Sequence, residues 1–261
     1  METLKVDYKG NNDEIVIVTL NRPEVMNAMN TQMLTERLEL FKELAQEEDL
    51  RCVIITGAGE KAFSAGGDLK ERNNMGNLTW KQQHQIIEEN MRITREFPVP
   101  VIAAVEGYAI AGGCELALSC DFIIASETAV FAMSEIKRGI IPGAGGPQNL
   151  ARAIGPRRAK EILYTGRKMD AALAYEWGMI NKIVPKGEAV QEALKIAENI
   201  VDSAPLAVKA VKTSINKGYD VDFETAYTLD LTSYYHLVAS EDRLEGVAAF
   251  NEKRKPVWRN K

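Results

Sequence analysis

Two short apolar runs, CVIIT at 52–56 and VIAAV at 101–105, constrain the fold of this chain more than anything else in it. Each has the length and β-branching of a buried strand. Each runs into a glycine-rich loop and then a helical pattern. Repeated strand–loop–helix units imply right-handed crossovers and a parallel sheet, so the fold class is α/β. Functional loops gather at the C-terminal ends of such strands. The 261 residues are enough for one large core, or for a core with an extension.

The rest of the chain fits around these strands. Residues 3–9 and 14–20 predict a hairpin. Asn30 or Thr31 caps a helix over 31–48, with Met33, Leu34, Leu38, Phe41 and Leu44 at helical spacing. Residues 73–79 are polar and read as a mobile loop, and 80–97 as a long helix ending before Pro98. A helix at 112–119, a strand at 121–126, a loop to about 142, and helices at 143–154 and 157–164 follow. A short helix at 171–177 and a strand at 182–185 come next. From 188 the pattern is helical throughout, over 188–203, 205–217, 221–238 and 241–250. These amphipathic helices need a partner surface on this subunit or another.

A net charge of −5 argues against broad affinity for nucleic acid or anionic membrane. No apolar run reaches the ~20 residues that span a bilayer. METLKVDYKG has no apolar signal region, so secretion is not expected. Cys52, Cys114 and Cys120 sit in apolar segments and are odd in number. They read as reduced core thiols in a reducing compartment, the cytoplasm. With two histidines, His84 and His236, and no HExxH or CxxC, no metal site is expected.

The chemistry-bearing residues cluster in glycine-rich stretches. Gly57-Ala58-Gly59-Glu60-Lys61-Ala62 mimics a dinucleotide fingerprint, but Phe63-Ser64-Ala65-Gly66-Gly67 keeps the chain in a loop where a helix should start. Ser64-Ala65-Gly66-Gly67-Asp68-Leu69-Lys70 brings backbone N–H groups close to a ligand, or is simply a tight turn that Asp68 caps. Ala111-Gly112-Gly113-Cys114-Glu115 puts glycines at a helix N-terminus. They serve either close packing or the capture of an oxyanion. Glu115 and Glu135 lie among Cys114, Leu116, Met133 and Ile136 rather than among charges. Desolvation there raises carboxylate pKa values, and proximity couples them. Such a pair divides base and acid roles around one water. Alternatively both are surface charges, Glu135 pairing with Lys137 or Arg138. Spacing alone does not bring the two together. The loop 139–146 lacks the Lys-Ser/Thr of a P-loop and reads as a rigid wall behind Glu135. His84 reads as a surface helix residue. No GxSxG exists, which removes a serine-hydrolase triad.

Taken together, the blocks ITGAGEKAFSAGGDLKE, PVIAAVEGYAIAGGCELALSCD, FAMSEIKRGIIPGAGGPQNLARAIG and TGRKMDAALAYEWGMINKIVP, flanked by NRPEVMNAM and DRLEGVAAFNEKRKP, resemble the enoyl-CoA hydratase (crotonase) family over nearly the whole chain. The resemblance implies a spiral of repeated ββα units over 1–200, with the CoA-thioester site, and a helical trimerisation region over 201–261. It implies a homo-oligomer, a trimer or a dimer of trimers. The substrate would be an acyl-CoA thioester, with no metal or redox cofactor, since CoA belongs to the substrate. The thioester oxygen would rest on the N–H groups of Gly67 and Gly112, and Glu115 and Glu135 would hold the water. Having both glutamates favours hydration, in fatty-acid or branched-chain acyl-CoA metabolism. Another reaction of the family, such as enoyl-CoA isomerisation or methylglutaconyl-CoA hydration, is the alternative, and RNA binding a remote one.

By the same resemblance, CoA contacts fall on Ala65, Gly67, Asp68, Leu69 and Gly112, with Lys61 and Lys70 near the phosphates and Arg22 and Pro23 at the entrance. Lys253 matches a lysine that reaches a neighbouring subunit's CoA. Four positions depart from the family pattern. Ala111 replaces a glycine, at an expected small cost. Gly67 stands where alanine is usual. Pro147 and Asn149 replace Thr and Arg, which alters the hydrogen bonding of the glycine loop. The acyl pocket would be shaped by 73–82.

Overall fold

The computed structural model describes residues 1–261. Its strands are β1 (Leu4–Lys9), β2 (Ile15–Leu20), β3 (Cys52–Gly57), β4 (Ala62–Ser64), β5 (Val101–Val105), β6 (Tyr108–Ile110), β7 (Phe122–Ser126), β8 (Val130–Ala132), β9 (Met169–Asp170) and β10 (Lys182–Val184). They form two sheets. One has six strands in the order β1-β2-β3-β5-β7-β10, and the other four in the order β4-β6-β8-β9. The predicted hairpin is β1–β2, and β2, β3, β5, β7 and β10 run parallel.

The central strands β2, β3, β5 and β7 are buried on both faces, which is why they read as apolar runs. Ile15, Ile17, Cys52, Ile54, Ile102, Ala104 and Ile124 point to one face. There they meet Ala189, Ala193 and Ala197 of helix α8 (Ala189–Val201). Three alanines at helical spacing let that helix approach closely. Glu106 fixes its start: Gly187 N–H and Ala189 N–H both donate to Glu106 Oε1 at 3.1 Å. The opposite face carries Val16, Val18, Val53, Ile55, Val101 and Val105. It packs against helices α1 (Thr31–Leu44), α3 (Asn77–Arg95) and α4 (Gly112–Ser119). Asn30 caps α1 as predicted, its Oδ1 accepting from Met33 N–H at 2.9 Å.

The predicted spiral is present, and its mechanism is specific. After β3 the chain adds β4 to the small sheet, then forms the one-turn helix α2 (Leu69–Arg72) and α3. After β5 it adds β6 and then α4. After β7 it adds β8 and then a 3-10 turn at Glu135–Arg138. Each turn therefore gives one strand to each sheet. The small strands were not legible in the sequence, because three residues are too few for periodicity to register. The polar stretch after α2 is shorter than expected, since α3 begins at Asn77 rather than 80.

Helices α5 (Gly146–Ile154), α6 (Pro156–Thr165) and α7 (Ala171–Glu176) close one end. Beyond α8, helices α9 (Pro205–Gly218), α10 (Phe223–Val238) and α11 (Glu241–Glu252) form an outer layer. Lys212 on α9 ties this layer to the core through Val99 O at 2.9 Å and Asp121 Oδ2 at 2.8 Å. No helix is long and apolar enough to cross a membrane.

Candidate active site

The small sheet assembles the site. Strands β4, β6 and β8 are parallel neighbours in that order. Their C-terminal ends release the loops that carry Gly67, Gly112 with Glu115, and Glu135. Residues scattered over the sequence thus emerge side by side, as expected at the carboxyl edge of parallel strands.

Two backbone donors face one another here. Met29 N–H donates to Gly66 O at 2.8 Å, and Asp68 N–H donates to Met29 O at 3.0 Å. This parallel bridge turns the N–H of the intervening Gly67 away from Met29. Gly112 is the first residue of α4, where N–H groups have no intrahelical acceptor. A Cβ on Gly112 would lie 3.6 Å from the Gly67 nitrogen, and a Cβ on Gly66 would lie 2.8 Å from the Gly112 nitrogen. The two nitrogens therefore flank one small space, a geometry suited to an oxyanion.

Ala111 forms the turn into this site at φ 51°, ψ −124°. That backbone conformation is normal for glycine and costs a residue with a Cβ roughly 1–3 kcal/mol. The small cost expected of this alanine concerned the N–H that Gly112 supplies, and the turn geometry adds a backbone cost to it. Ala111→Gly relieves the strain but adds about 0.4–1 kcal/mol of unfolded-state entropy. A net gain of about 1 kcal/mol is expected, raising Tm by roughly 2–4 °C. Calorimetry showing an unchanged or lower Tm would refute it.

The carboxylates occupy unequal environments. Glu115 is 4 % exposed. Ala144 N–H and Gly146 N–H donate to its Oε1 at 2.8 and 2.9 Å. These donors lie at the N-terminus of α5, which favours negative charge. Burial pushes the Glu115 pKa up, and these two N–H groups oppose the rise. A Cβ on Gly146 would meet Oε1 at 2.7 Å, so only glycine admits the carboxylate this closely. Glu135 is 8 % exposed, and its Oε2 is buried without a partner. Burial pushes its pKa up to about 7, and the Glu115 charge adds to the rise. Neither Lys137 nor Arg138 pairs with Glu135. Arg138 turns back, Nη1 donating to Ser134 O and Oγ at 3.2 and 3.1 Å. The pKa of the Cys114 thiol is pushed far up by burial and by both carboxylate charges, which leaves it inert.

Two readings of the surroundings change. The 139–146 loop does back Glu135, Ile140 N–H donating to Glu135 O at 3.4 Å, but its far end also grips Glu115, because those N–H groups lead into α5. His84 is not a plain surface residue. Its Nε2 lies 3.2 Å from Gly143 O and 3.5 Å from Glu88 Oε1, so it fastens that loop to α3. Asn149, one of the departures, leaves its Nδ2 buried without a partner.

Arg22 and Asp68 pair with each other at 2.9 Å. Asp68 Oδ1 also accepts from Lys70 N–H and Glu71 N–H, capping α2, while Arg22 Nη1 donates to Ala28 O. Lys61 and Lys70 are exposed and Leu69 is 51 % exposed. Lys253 is exposed at the end of α11, outside the single-chain site. Ala65 lines a cavity of about 540 Å³ with Met26, Tyr108 and Ile110. Across it stand Lys137, Arg138 and Lys168, the last with Nζ 5.2 Å from the Tyr108 ring centre. The sequence reading missed these three cations, since β8, β9 and β6 bring their segments together only in the fold.

A family model described as enoyl-CoA hydratase/isomerase matches residues 10–261. The chain is 40% identical over 95% of both sequences to the putative enoyl-CoA hydratase/isomerase YngF of Bacillus subtilis. It is 38% identical to the short-chain-enoyl-CoA hydratase of Clostridium acetobutylicum, with 93% of each covered. The crystal structure of an enoyl-CoA hydratase from Bacillus anthracis superposes with a TM-score of 0.97 at 40% identity, covering 99% of this chain and 100% of that one. By a family match over nearly its whole length and by relatives of 38–40% identity, the chain belongs to the enoyl-CoA hydratase/isomerase family.

Proposed function

We propose that this protein is an enoyl-CoA hydratase, a hydro-lyase that adds water syn across a trans-2-enoyl-CoA to give a 3-hydroxyacyl-CoA, reversibly. The observation that carries the reading is the unequal carboxylate pair beside two convergent N–H groups. The N–H groups of Gly67 and Gly112 receive the thioester oxygen as enolate charge develops on it. Glu115, braced by two donors, takes a proton from the water as its oxygen adds to C3. Glu135, whose burial keeps it protonated up to about pH 7, gives its proton to C2. One water is consumed, and the coupled pair redistributes its proton after the product leaves.

The cavity beside Ala65 would carry the pantetheine arm, with Lys61, Lys70, Lys137, Arg138 and Lys168 available to the phosphates. The reaction asks for no metal or redox cofactor. A homo-oligomer, a trimer or a dimer of trimers, would cover the outer helices. Val211, Ile215, Phe223, Tyr234, Tyr235 and Phe250 are between 58% and 83% exposed there. Such a surface favours burial against copies of itself. In that assembly Lys253 would reach a neighbour's CoA. A cytoplasmic setting fits the three free cysteines.

Crotonyl-CoA turned over in heavy-oxygen water tests the reading. The expected product is 3-hydroxybutyryl-CoA carrying the label at C3. No water addition, with migration of the double bond in a 3-enoyl-CoA instead, would establish an isomerase. In the hydration direction kcat/KM should be bell-shaped in pH. The alkaline limb lies near 7, where Glu135 loses its proton, and the acid limb lies above 4.5, where Glu115 gains one. A flat profile from pH 5 to 9 would remove the acid–base assignment.

A further inference from the structure

The turn α2 ends on Arg72, and Asp68 sets its direction by capping the turn. The guanidinium comes back over Gly67: Cζ and Nη1 lie 3.4 Å from where a Cβ on Gly67 would sit. It is half-buried, with its plane over the Trp80 ring at 4.4 Å and its Nε donating to Gln83 Oε1 at 2.6 Å. No carboxylate pairs with it. Its neighbour Glu71 makes no ion pair with it and accepts instead from Thr31 N–H at 2.9 Å and from Gln83 Nε2 at 2.7 Å, so the two meet only through Gln83. Nη2 is buried without a partner, and Nη1 has no partner in the protein either. Burial holds its pKa below the usual arginine value, and the Glu71 charge offsets only part of that.

A cation held rigidly by stacking and one hydrogen bond, with its outer fork unpaired, is costly unless a ligand completes it. The planar pair Nη1–Nη2 matches a carboxylate end-on. The place of the fork identifies which part of a substrate would meet it. Lys137, Arg138 and Lys168, which the hydratase reading gives to the CoA phosphates, line the cavity beside Ala65, and Arg72 is not part of that lining. Arg72 instead sits against the residue whose N–H would hold the thioester oxygen, a few bonds from the acyl carbons. A plain alkyl chain there would leave the fork unpaired.

Building on the hydratase reading, we infer that Arg72 recognises the far end of the acyl group, and that the preferred substrate is a short 2-enoyl-CoA ending in a carboxylate. Trp80 and Gln83 are positioning residues that hold the fork in place.

The test compares crotonyl-CoA with glutaconyl-CoA, the 2-enoyl thioester whose acyl chain ends in a carboxylate. The wild-type protein should favour glutaconyl-CoA by about 10-fold or more in kcat/KM. Arg72→Met should lose roughly 10²-fold on glutaconyl-CoA, mainly through KM, and stay within about 3-fold on crotonyl-CoA. Arg72→Lys should recover part of the loss. Equal losses on both substrates would overturn the inference, placing Arg72 in enolate stabilisation or in the fold. A wild-type preference for crotonyl-CoA would overturn it without any variant. Hydration of neither substrate would instead remove the hydratase reading, and this inference with it.

Discussion

Replacing either glutamate with glutamine is expected to lower kcat for crotonyl-CoA hydration by roughly 10²–10⁴-fold. Glu115→Gln keeps the acceptor for Ala144 N–H and Gly146 N–H but cannot take a proton. Glu135→Gln removes the donor to C2. Near-wild-type hydration in either variant would sink the assignment, and a silent Glu135→Gln alone would favour an isomerase. The Glu135 variant carries a second expectation that a structural mishap would not produce. A carboxyl whose folded pKa lies above its unfolded value binds more protons when folded. It therefore contributes stability that is full below the unfolded value of 4.5 and is lost as pH rises through about 7. The shift corresponds to at most about 3 kcal/mol, which residual solvent screening reduces to about 2. Glutamine does not titrate. Relative to wild type, Glu135→Gln should thus gain about 2 kcal/mol between pH 4.5 and 8, read from urea melts at the two values. An equal stability difference at both pH values would show that Glu135 is not desolvated as the structure has it.

The second large effect comes from a residue with no side chain. Gly66 has φ +86°, and a Cβ on it would meet Gly112 N and Ile110 O at 2.8 Å each. Both are backbone atoms, so the contact is relieved only by separating the 65–67 loop from the 110–112 turn. That separation pulls the two oxyanion donors apart. Loss of one such donor typically costs about 10²–10³ in kcat. Gly66→Ala should therefore fold, at a stability cost of roughly 1–3 kcal/mol, and lose hydration by that factor. Gly187→Ala is the control. Gly187 has the same φ of +86° and nothing within 4 Å of its would-be Cβ, so that variant carries the backbone strain without the collision. It should keep wild-type kcat. If Gly66→Ala hydrates crotonyl-CoA within about 3-fold of wild type, the paired-donor account is wrong.

These expectations rest on features of unequal visibility. The central strands of the large sheet were legible because both their faces are buried, which writes continuous apolar runs into the sequence. The helices announced themselves through spacing and through caps such as Asn30. Arg37 shows the limit. Its sequence neighbours Glu36 and Glu39 suggest a solvent-facing position, yet it is 1 % exposed. It donates to Asn90 Oδ1 at 2.8 Å and Thr94 Oγ1 at 2.5 Å and lies over Phe41, pinning α1 to α3. Those partners are more than fifty residues away, beyond the reach of any local pattern.

Residue order alone sets the chemistry on offer: two glutamates in apolar surroundings and glycines at the starts of two helices. Residue type and local spacing carry that information, because desolvation and N–H exposure are short-range. How the parts divide the work depends on the folded chain. Three-residue strands too short to leave a periodic trace place Gly67, Gly112 and Glu135 at one sheet edge. The start of α5 grips Glu115 and leaves Glu135 bare, and that contrast separates base from acid. It also turns Arg72 over Gly67, because the direction of a charged side chain is set by what packs around it rather than by its place in the chain.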